Sequence, residues 1–271
     1  MNETIGMIGL GDLGQPMARN LLASGFKLKL YNRTASKTEA FVALGAEAGV
    51  MPRDVTTPGG IVLSIVSDDD ALESVVMSEG FLGQLGAGGV HLSMSTVSPQ
   101  LAKKLAAMHA EHGSLYVEAP VFGRPAAAEA RQLWICEAGP AAGKERVKPI
   151  LDALGQSTFD FGEEIGAGLT VKLAGNFMII SAWQAIQEAL SMVKRSGVDP
   201  EAAIEMLSST LFPVPVYQSY GKLIAQNPEQ LRTNWIGPKD VGLFRDVAGQ
   251  VGSRTDLAEL LLGRLKTAKS L

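Results

Sequence analysis

The segment Gly9-Leu10-Gly11-Asp12-Leu13-Gly14 decides the fold. It follows a short apolar segment, residues 4–8, and it precedes a segment of helical periodicity, residues 15–24. A second β-type segment occupies residues 27–31. In this βαβ context the glycines match a turn in which a dinucleotide's pyrophosphate approaches the backbone at a helix N-terminus. We therefore expect residues 9–14 to bind the phosphates of a dinucleotide; the alternative is a glycine-rich turn without a ligand.

Strand-like and helical segments continue to alternate as far as about residue 161. Such alternation predicts βαβ units and a mainly parallel, Rossmann-type doubly wound sheet. The predicted strands are 4–8, 27–31, 60–66, 90–94, 115–118, 132–138 and 157–161. The predicted helices are 15–24, 36–44, 71–77, 99–112 and 144–154.

Helical periodicity alone characterises the rest of the chain, which predicts a second, all-α domain. The predicted helices there are 167–196, 200–209, 215–225, 238–251 and 255–268. We expect two domains, residues 1–165 and 166–271, with the reaction in the cleft between them. The strongly apolar second domain also predicts a homodimer or homotetramer, because an isolated apolar surface favours association.

Composition and charge exclude several functional classes. The formal net charge of the 271 residues is −4, and no basic cluster is present, which argues against a nucleic-acid partner. The uncharged segment 173–187 is shorter than the roughly 20 residues of a membrane span and predicts a buried helix. Cys136, the one cysteine, is expected to be a small buried hydrophobe. We expect a cytoplasmic protein without a membrane partner.

The residues after the second predicted strand bear on the choice of cofactor. A site for NAD(H) usually has Asp or Glu there, whereas this chain reads Tyr31-Asn32-Arg33-Thr34. Arg33 suits a 2′-phosphate, so we expect Asn32, Arg33 and Thr34 to bind NADP(H) in preference to NAD(H). The alternative is that Arg33 stacks on the adenine or faces solvent.

Lys172 and Asn176 are four residues apart at the start of the longest predicted helix, and they therefore share one face of it. A buried Lys/Asn pair among apolar residues is costly unless it serves a purpose. The alternative is a lysine whose ammonium group reaches solvent at an exposed edge.

Several motifs in order resemble the β-hydroxyacid dehydrogenase family, which includes 3-hydroxyisobutyrate dehydrogenase and the glyoxylate and succinic semialdehyde reductases. They are Gly9–Gly14 with Pro16-Met17-Ala18, Tyr31–Thr34, Ser93–Pro99, Ala119-Pro120-Val121-Phe122-Gly123, Lys172–Asn176 and Lys239-Asp240. The resemblance covers almost the whole chain. It implies a helical second domain like that of 6-phosphogluconate dehydrogenase, and hydride transfer between nicotinamide and a small β-hydroxy acid, semialdehyde or oxo acid.

The resemblance also implies roles for individual residues. Lys172 would be the general acid and base, and Asn176 would orient the substrate. Val66, Ser67 and Thr96 would contact the nicotinamide side of the cofactor, and Lys239 would close over the cofactor or substrate. The implied substrate-binding residues are Ser95, Phe122, Gly123, Arg124, Lys172 and Asn176.

One turn departs from the family pattern. The family commonly has Asp-Ala-Pro-Val-Ser-Gly-Gly, whereas residues 118–124 read Glu-Ala-Pro-Val-Phe-Gly-Arg. Phe122 removes a hydroxyl group, and Arg124 adds a planar cation that suits a carboxylate. The alternative for Arg124 is an ion pair with Glu129 or Glu118.

Two other functions fit the same motifs less well. Imine reductases resemble this fold but usually lack the lysine that matches Lys172. A cofactor-binding scaffold would not need Lys172, Asn176, Thr96 and Lys239 together. We expect no metal site, because Asp68-Asp69-Asp70 precedes a helix, where carboxylates cap N–H groups, and the three histidines lack zinc-site spacing.

Overall fold

The computed structural model describes residues 3–230, 232–233, 236–267 and 269–270. The chain forms two compact units, Met1–Lys172 and Leu173–Leu271. The boundary between them lies within one long helix, later than the predicted boundary at residue 165.

The first unit combines parallel strands with helices. Its strands are β1 (Thr4–Ile8), β2 (Lys27–Tyr31), β3 (Glu47–Ala48), β4 (Ile61–Ser64), β5 (Val90–Ser93), β6 (Leu115–Glu118), β7 (Val121–Phe122), β8 (Leu133–Glu137) and β9 (Gly155–Asp160). Its helices are α1 (Gly14–Ala23), α2 (Glu39–Val42), α3 (Asp69–Val76), α4 (Phe81–Leu85), α5 (Pro99–Glu111), α6 (Pro125–Glu129) and α7 (Ala141–Leu154).

Six strands form one parallel sheet in the order β3-β2-β1-β4-β5-β6. This is the strand order of the dinucleotide-binding fold, so the predicted Rossmann-type sheet is confirmed. The direction of strand addition reverses between β1 and β4. In open parallel sheets a ligand crevice forms at the carboxyl ends of the strands at such a reversal.

Both faces of the sheet are covered, because its strands are apolar on both sides. Successive side chains of a strand point to opposite faces. Accordingly, Met7 and Leu63 belong to one buried cluster, whereas Ile8 and Val62 belong to the other. Burial on both faces holds the carboxyl ends of β1 and β4 in place, where the predicted phosphate turn begins.

The last two predicted strands form in a different sheet from the one that we expected. β8 and β9 are parallel to each other, but they join β7 in a separate three-stranded sheet, with β7 antiparallel to β8. Pro120 lies between β6 and β7 and has no N–H to continue a ladder. The predicted helix 36–44 is also divided, into a 3₁₀ segment, Ala35–Thr38, and α2.

The second unit is helical. α8 (Ala167–Arg195) crosses from the first unit into the second, and the other helices are α9 (Pro200–Thr210), α10 (Pro215–Ala225), α11 (Ile236–Gln250) and α12 (Asp256–Leu265). The helical second domain is confirmed, with one addition: β10 (Arg232–Thr233) pairs in parallel with β11 (Lys269–Ser270). The predicted end of the last helix, Ala268, lies outside the described residues.

α8 differs from the buried helix predicted for residues 173–187. By length and composition alone it could span a membrane, and only 28% of its most apolar 18-residue window is buried. Met178 and Met192 are largely exposed. The predicted buried helix is therefore only partly buried: Leu173 and Ile186 are buried, whereas Met178 is exposed, and the chain by itself does not cover this surface.

Two histidines form a hydrogen-bonded chain inside the first unit. His91 Nε2 lies 2.8 Å from Ser64 Oγ, His91 Nδ1 lies 2.9 Å from His109 Nε2, and His109 Nδ1 lies 2.8 Å from Ser114 Oγ. Ser114 Oγ also donates to the His109 carbonyl oxygen. With both rings neutral, each nitrogen in this chain has a matching donor or acceptor, and an added proton would oppose two N–H groups.

Burial therefore keeps both histidines neutral. It lowers the pKa of His109 to about 3, with a smaller effect from the charge of His112, and it lowers the pKa of His91 well below its usual value. In the unfolded chain both rings bind protons below about pH 6.5. Because the folded state binds them only at much lower pH, stability is lost as the pH falls through this interval.

We predict that wild type loses stability in acid relative to His109→Gln, which removes one of these titrations. As the pH falls from 6 to 4, the unfolding free energy of wild type should decrease relative to that of His109→Gln by about 1.4 kcal/mol per pH unit. Urea unfolding at several pH values measures this difference. Ala107→Gln, which places the same side chain at an exposed position of α5, is the matched control and should show no such trend. A His109→Gln difference that does not vary with pH would contradict the assignment.

Candidate active site

The turn between β1 and α1 has no room for side chains at two of its glycines. A Cβ on Gly9 would lie 2.1 Å from the Ile65 carbonyl oxygen, and Gly9 has φ +101°. A Cβ on Gly14 would lie 2.1 Å from the Gly9 carbonyl oxygen. At Gly11, in contrast, a Cβ would meet no protein atom within 4 Å. The outer glycines are therefore required by the fold, and Gly11 is available for close approach by a ligand.

The N-terminus of α1 is suited to an anion. It has no side-chain cap and no acidic residue in its first turn, so its N–H groups are not neutralised by a carboxylate there. The Leu10 N–H donates to Asn32 Oδ1 at 2.9 Å, and Asn32 Nδ2 donates to the Thr34 carbonyl oxygen at 2.9 Å. Asn32 thus braces the glycine turn against the loop after β2. These residues fit a dinucleotide's phosphates.

The loop after β2 presents positive charge without a carboxylate. Arg33, Thr34 and Lys37 are exposed, and residues 31–38 include no Asp or Glu. None of the ion pairs found in the described part of the chain involves Arg33. Arg33 is therefore exposed and accessible to a ligand.

The ends of β4 and β5 are joined by a predicted substrate residue. The Val66 N–H donates to Ser95 Oγ at 2.8 Å, which brings these two predicted site residues together. Ser67 is exposed and Thr96 is half-buried. Asp68 caps α3 by accepting from the Ala71 N–H at 2.9 Å, as predicted for the aspartate run. Among the described residues no group of three His, Cys, Asp or Glu is arranged for a metal ion.

Lys172 lies against the turn that departs from the family pattern. Its side chain is buried, with 7% of the residue exposed, so it is not a lysine at an exposed edge. Its Nζ lies 4.1 Å from the centroid of the Phe122 ring. Phe122 is in β7, where it pairs with Trp134 of β8. The structure therefore brings the predicted catalytic lysine and a predicted substrate residue into contact.

Glu118 holds the beginning of the helix that carries Lys172. Its carboxyl oxygens accept from the Gly166 N–H at 2.8 Å and the Leu169 N–H at 3.1 Å. Only 1% of Glu118 is exposed. Burial raises the pKa of Glu118 to about 7, against the opposing effect of these N–H groups. A side chain from the end of β6 thus satisfies donors at the N-terminus of α8.

Gly123 and Arg124 follow β7 at the surface. No ion pair joins Arg124 to Glu129 or Glu118 among the residues that the structure describes. The Glu118 carboxyl group is bonded to backbone instead. The Arg124 guanidinium group is therefore accessible to a ligand.

The remaining predicted residues belong to the second unit, where they form a cluster. Asn176 Nδ2 donates to Asp240 Oδ2. Lys239 Nζ lies 3.0 Å from Asp240 Oδ1, and Lys239 is largely buried. The buried Asp240 carboxylate thus connects α8 to α11 and fixes the amide orientation of Asn176.

Glu118 and Asp240 are the two residues of these clusters that sequence reasoning did not assign to the site. Each was part of a recognised motif: Glu118 begins the departing turn, and Asp240 follows Lys239. The available signal was a carboxylate within an apolar segment, because such a group needs donors when it is buried. Which donors it finds depends on tertiary contacts.

The glycine turn yields a prediction that separates folding from ligand binding. Gly14→Ala should destabilise the protein by at least about 1–3 kcal/mol, because backbone must move to accommodate the methyl group. Gly11→Ala should leave the thermal unfolding midpoint unchanged and weaken NADPH binding at least about tenfold, or about 1.4 kcal/mol. Differential scanning fluorimetry and NADPH fluorescence titration measure the two effects. Wild-type NADPH affinity in a folded Gly11→Ala protein would show that the phosphates lie elsewhere.

Family models match both parts of the chain. Residues 4–162 match the NAD binding domain of 6-phosphogluconate dehydrogenase. Residues 166–270 match the NAD-binding domain of NADP-dependent 3-hydroxyisobutyrate dehydrogenase.

Curated relatives match over most of the chain. An uncharacterized oxidoreductase of Bacillus subtilis is 42% identical over 260 residues, which cover 94% of this chain and 90% of the relative. Glyoxylate/succinic semialdehyde reductase 1 of Arabidopsis thaliana is 33% identical over 218 residues, or 80% of this chain and 75% of that protein.

Solved structures share the fold. The crystal structure of a 3-hydroxyisobutyrate dehydrogenase from Salmonella typhimurium has a TM-score of 0.84 at 22% identity, covering 97% of this chain and 92% of the other. An imine reductase from Aspergillus terreus has a TM-score of 0.70 at 19% identity, with the same two coverages. The family models and the sequence relatives together show that the chain belongs to the β-hydroxyacid dehydrogenase family of NAD(P)-dependent oxidoreductases.

Proposed function

We propose that this protein is an NADP(H)-dependent oxidoreductase that interconverts a small β-hydroxy acid and the corresponding semialdehyde or oxo acid. Substrates similar to 3-hydroxyisobutyrate, glyoxylate or succinic semialdehyde fit this proposal. The observation that carries it is Lys172, a buried lysine at the position of the family's catalytic residue. A buried amine that serves no reaction would be costly to maintain.

The proposed cofactor residues follow four strands of the six-stranded sheet, β1, β2, β4 and β5, and they include Lys239, which belongs to the second unit. Its residues are Gly9, Leu10, Gly11, Asp12, Leu13, Gly14, Asn32, Arg33, Thr34, Val66, Ser67, Thr96 and Lys239. The uncapped N-terminus of α1 supports pyrophosphate binding. The preference for NADP(H) is supported by the exposed Arg33 in a loop that lacks a carboxylate.

Lys172 acts as the general acid and base in the proposed reaction. When bound, the nicotinamide supplies or accepts the hydride. During reduction Lys172 Nζ donates a proton to the oxygen of the substrate carbonyl, and during oxidation it accepts the hydroxyl proton. Asn176, whose amide orientation is fixed by Asp240, orients the substrate.

The proposed substrate site combines this lysine with the turn after β6. Its residues are Ser95, Phe122, Gly123, Arg124, Lys172 and Asn176. Arg124 supplies an accessible planar cation for a substrate carboxylate. Phe122 replaces the hydroxyl group that the family commonly has in this turn, which shifts the preferred substrate away from ligands that need that donor.

Imine reduction is the second candidate, because imine reductases share the fold. Lys172 favours carbonyl reduction, since a carbonyl oxygen needs a proton as it becomes a hydroxyl group. A non-catalytic scaffold is disfavoured because two buried polar clusters, around Lys172 and around Asp240, would have no use in it.

We also propose a cytoplasmic homodimer or homotetramer in which α8 contacts another copy of the chain. Its support is the exposed apolar surface of α8 and neighbouring helices, including Met178, Met192 and Leu211. Glu188 of α8 is exposed and pairs with Arg264, and such a charged surface favours a protein partner over lipid.

Lys172→Ala tests the proposed reaction. We expect kcat for NADPH-dependent reduction of glyoxylate or succinic semialdehyde to fall by about 10² to 10⁴, because general acid catalysis is lost. NADPH affinity should be retained. Lys194→Ala, on the exposed last turn of the same helix, is the matched control and should keep wild-type activity. Equal rates for Lys172→Ala and wild type, or reduction of a cyclic imine alone, would exclude the proposal.

Arg33→Ala tests the cofactor preference. Loss of a charge-assisted bond to the 2′-phosphate should lower kcat/KM for NADPH by about 10- to 100-fold, or about 1.5–3 kcal/mol, with little effect on NADH. Steady-state kinetics with both cofactors measures the change. Lys27→Ala removes an exposed positive charge at the opposite end of β2 and serves as control. An unaltered preference in Arg33→Ala would refute the role of Arg33.

A further inference from the structure

The contact between Lys172 and Phe122 is a cation on an aromatic ring. The 4.1 Å separation of Lys172 Nζ from the ring centroid is well within the range of about 6 Å in which the ring's negative face attracts an ammonium group. Both residues lie in the first unit, and Phe122 is only partly exposed. Exclusion of water strengthens such a contact.

Regular backbone structure holds both partners. Phe122 is paired with Trp134 in the β7–β8 ladder. The helix that carries Lys172 begins where Glu118 accepts two of its N–H groups, from Gly166 and Leu169. Glu118 and Phe122 belong to the same short turn, so the turn positions the helix and the ring together. The contact is therefore part of the fold and does not depend on a chance meeting of two flexible side chains.

The aromatic side chain of Phe122 departs from the common family pattern. The family turn commonly has serine where this chain has Phe122. A serine offers a hydroxyl donor, whereas phenylalanine offers only its ring and has no group that can donate a hydrogen bond. The ring therefore performs a different task from the hydroxyl group that it replaces.

We propose that Phe122 is a positioning residue for Lys172. The face of its ring favours the ammonium form of the amine and holds Nζ in place. The proposal rests on the proposed function of Lys172. Reduction requires the protonated amine: the substrate carbon gains a hydride from the nicotinamide, its oxygen gains the proton from Nζ, and the neutral amine is then reprotonated from solvent. By favouring the ammonium form, the ring extends carbonyl reduction to higher pH.

Other groups near Lys172 affect the same equilibrium. Burial favours the neutral amine, and the ring face opposes this effect. Cys136 of β8 interacts electrostatically with Lys172, but burial raises the pKa of the Cys136 thiol, which keeps it neutral. The Glu118 carboxyl group bonds to N–H groups at the start of the same helix. Replacing Phe122 by an aliphatic residue removes the ring face without changing any charge.

The test is the pH dependence of Lys172 acylation in the cofactor-free protein. Only the neutral amine reacts with acetic anhydride, so mass spectrometry of the peptide containing Lys172 reports the protonation of this residue. The exposed Lys194 of the same helix is the internal reference. The pH of half-maximal labelling measures protonation, and the plateau rate measures accessibility. The variants are Phe122→Leu and Phe122→Met, which lack a ring, and Phe122→Tyr, which retains one.

We expect half-maximal labelling in Phe122→Leu and Phe122→Met to move to lower pH by about 0.4 to 1.5 units, as the usual strength of this contact implies. Phe122→Tyr should match wild type. The alkaline limit of kcat for carbonyl reduction should move in the same direction in the variants without a ring. Two aliphatic variants are used so that the test does not depend on the folding of either one. Circular dichroism verifies that each variant is folded.

An unchanged midpoint in a folded aliphatic variant, or the same shift in Phe122→Tyr, would overturn the proposal. Failure of the proposed function gives a different result. In that case Lys172→Ala retains turnover, whereas the labelling midpoints still report whether the ring holds the ammonium form.

Discussion

The hydrogen bonds between the Glu118 carboxyl group and the N–H groups of Gly166 and Leu169 determine where α8 begins. A helix leaves its first N–H groups without partners, and here a buried side chain from the end of a strand supplies the acceptors. One turn further along the helix lies Lys172. Any displacement of the helix start would therefore move the lysine away from the Phe122 ring.

A second constraint acts at the glycine turn between β1 and α1. The backbone of Gly9 approaches the Ile65 carbonyl oxygen so closely that no side chain fits. This approach joins the carboxyl ends of β1 and β4, where the strand order reverses. The Ser95 hydroxyl group adds the end of β5 through its bond to the Val66 N–H. The residues that follow β1, β2, β4 and β5 thus lie along one edge of the sheet because the sheet is parallel.

Local patterns in the sequence were sufficient for the parallel sheet, the glycine turn and the long helix. These features depend on hydrophobic periodicity and on glycine positions, which act over a few residues. The assignment of β8 and β9 to a second sheet was not predictable in this way, because strand propensity does not specify a partner. Nor was the exposure of α8, since periodicity indicates an apolar face but not what covers it.

In the candidate site, too, local motifs predicted some residues, whereas the role of others depends on tertiary contacts. Motifs predicted Lys172, Asn176 and Lys239 as site residues, but they did not predict a role for Glu118 and Asp240, the carboxylates that hold the clusters together. Their importance follows from burial and from partners distant in sequence, Gly166 and Asn176. The Phe122 substitution was visible in the sequence, but its meaning depends on the position of the lysine relative to the ring.

The most direct test of the central claim follows one atom. Wild type is incubated with glyoxylate or succinic semialdehyde and with NADPH that carries deuterium at the transferred position of C4, and the hydroxy acid product is examined by mass spectrometry. We expect one deuterium in the product from wild type, and a rate lower by at least about 10² in Lys172→Ala. Absence of deuterium from every hydroxy acid product, or equal rates for the two proteins, would contradict Lys172-dependent hydride transfer.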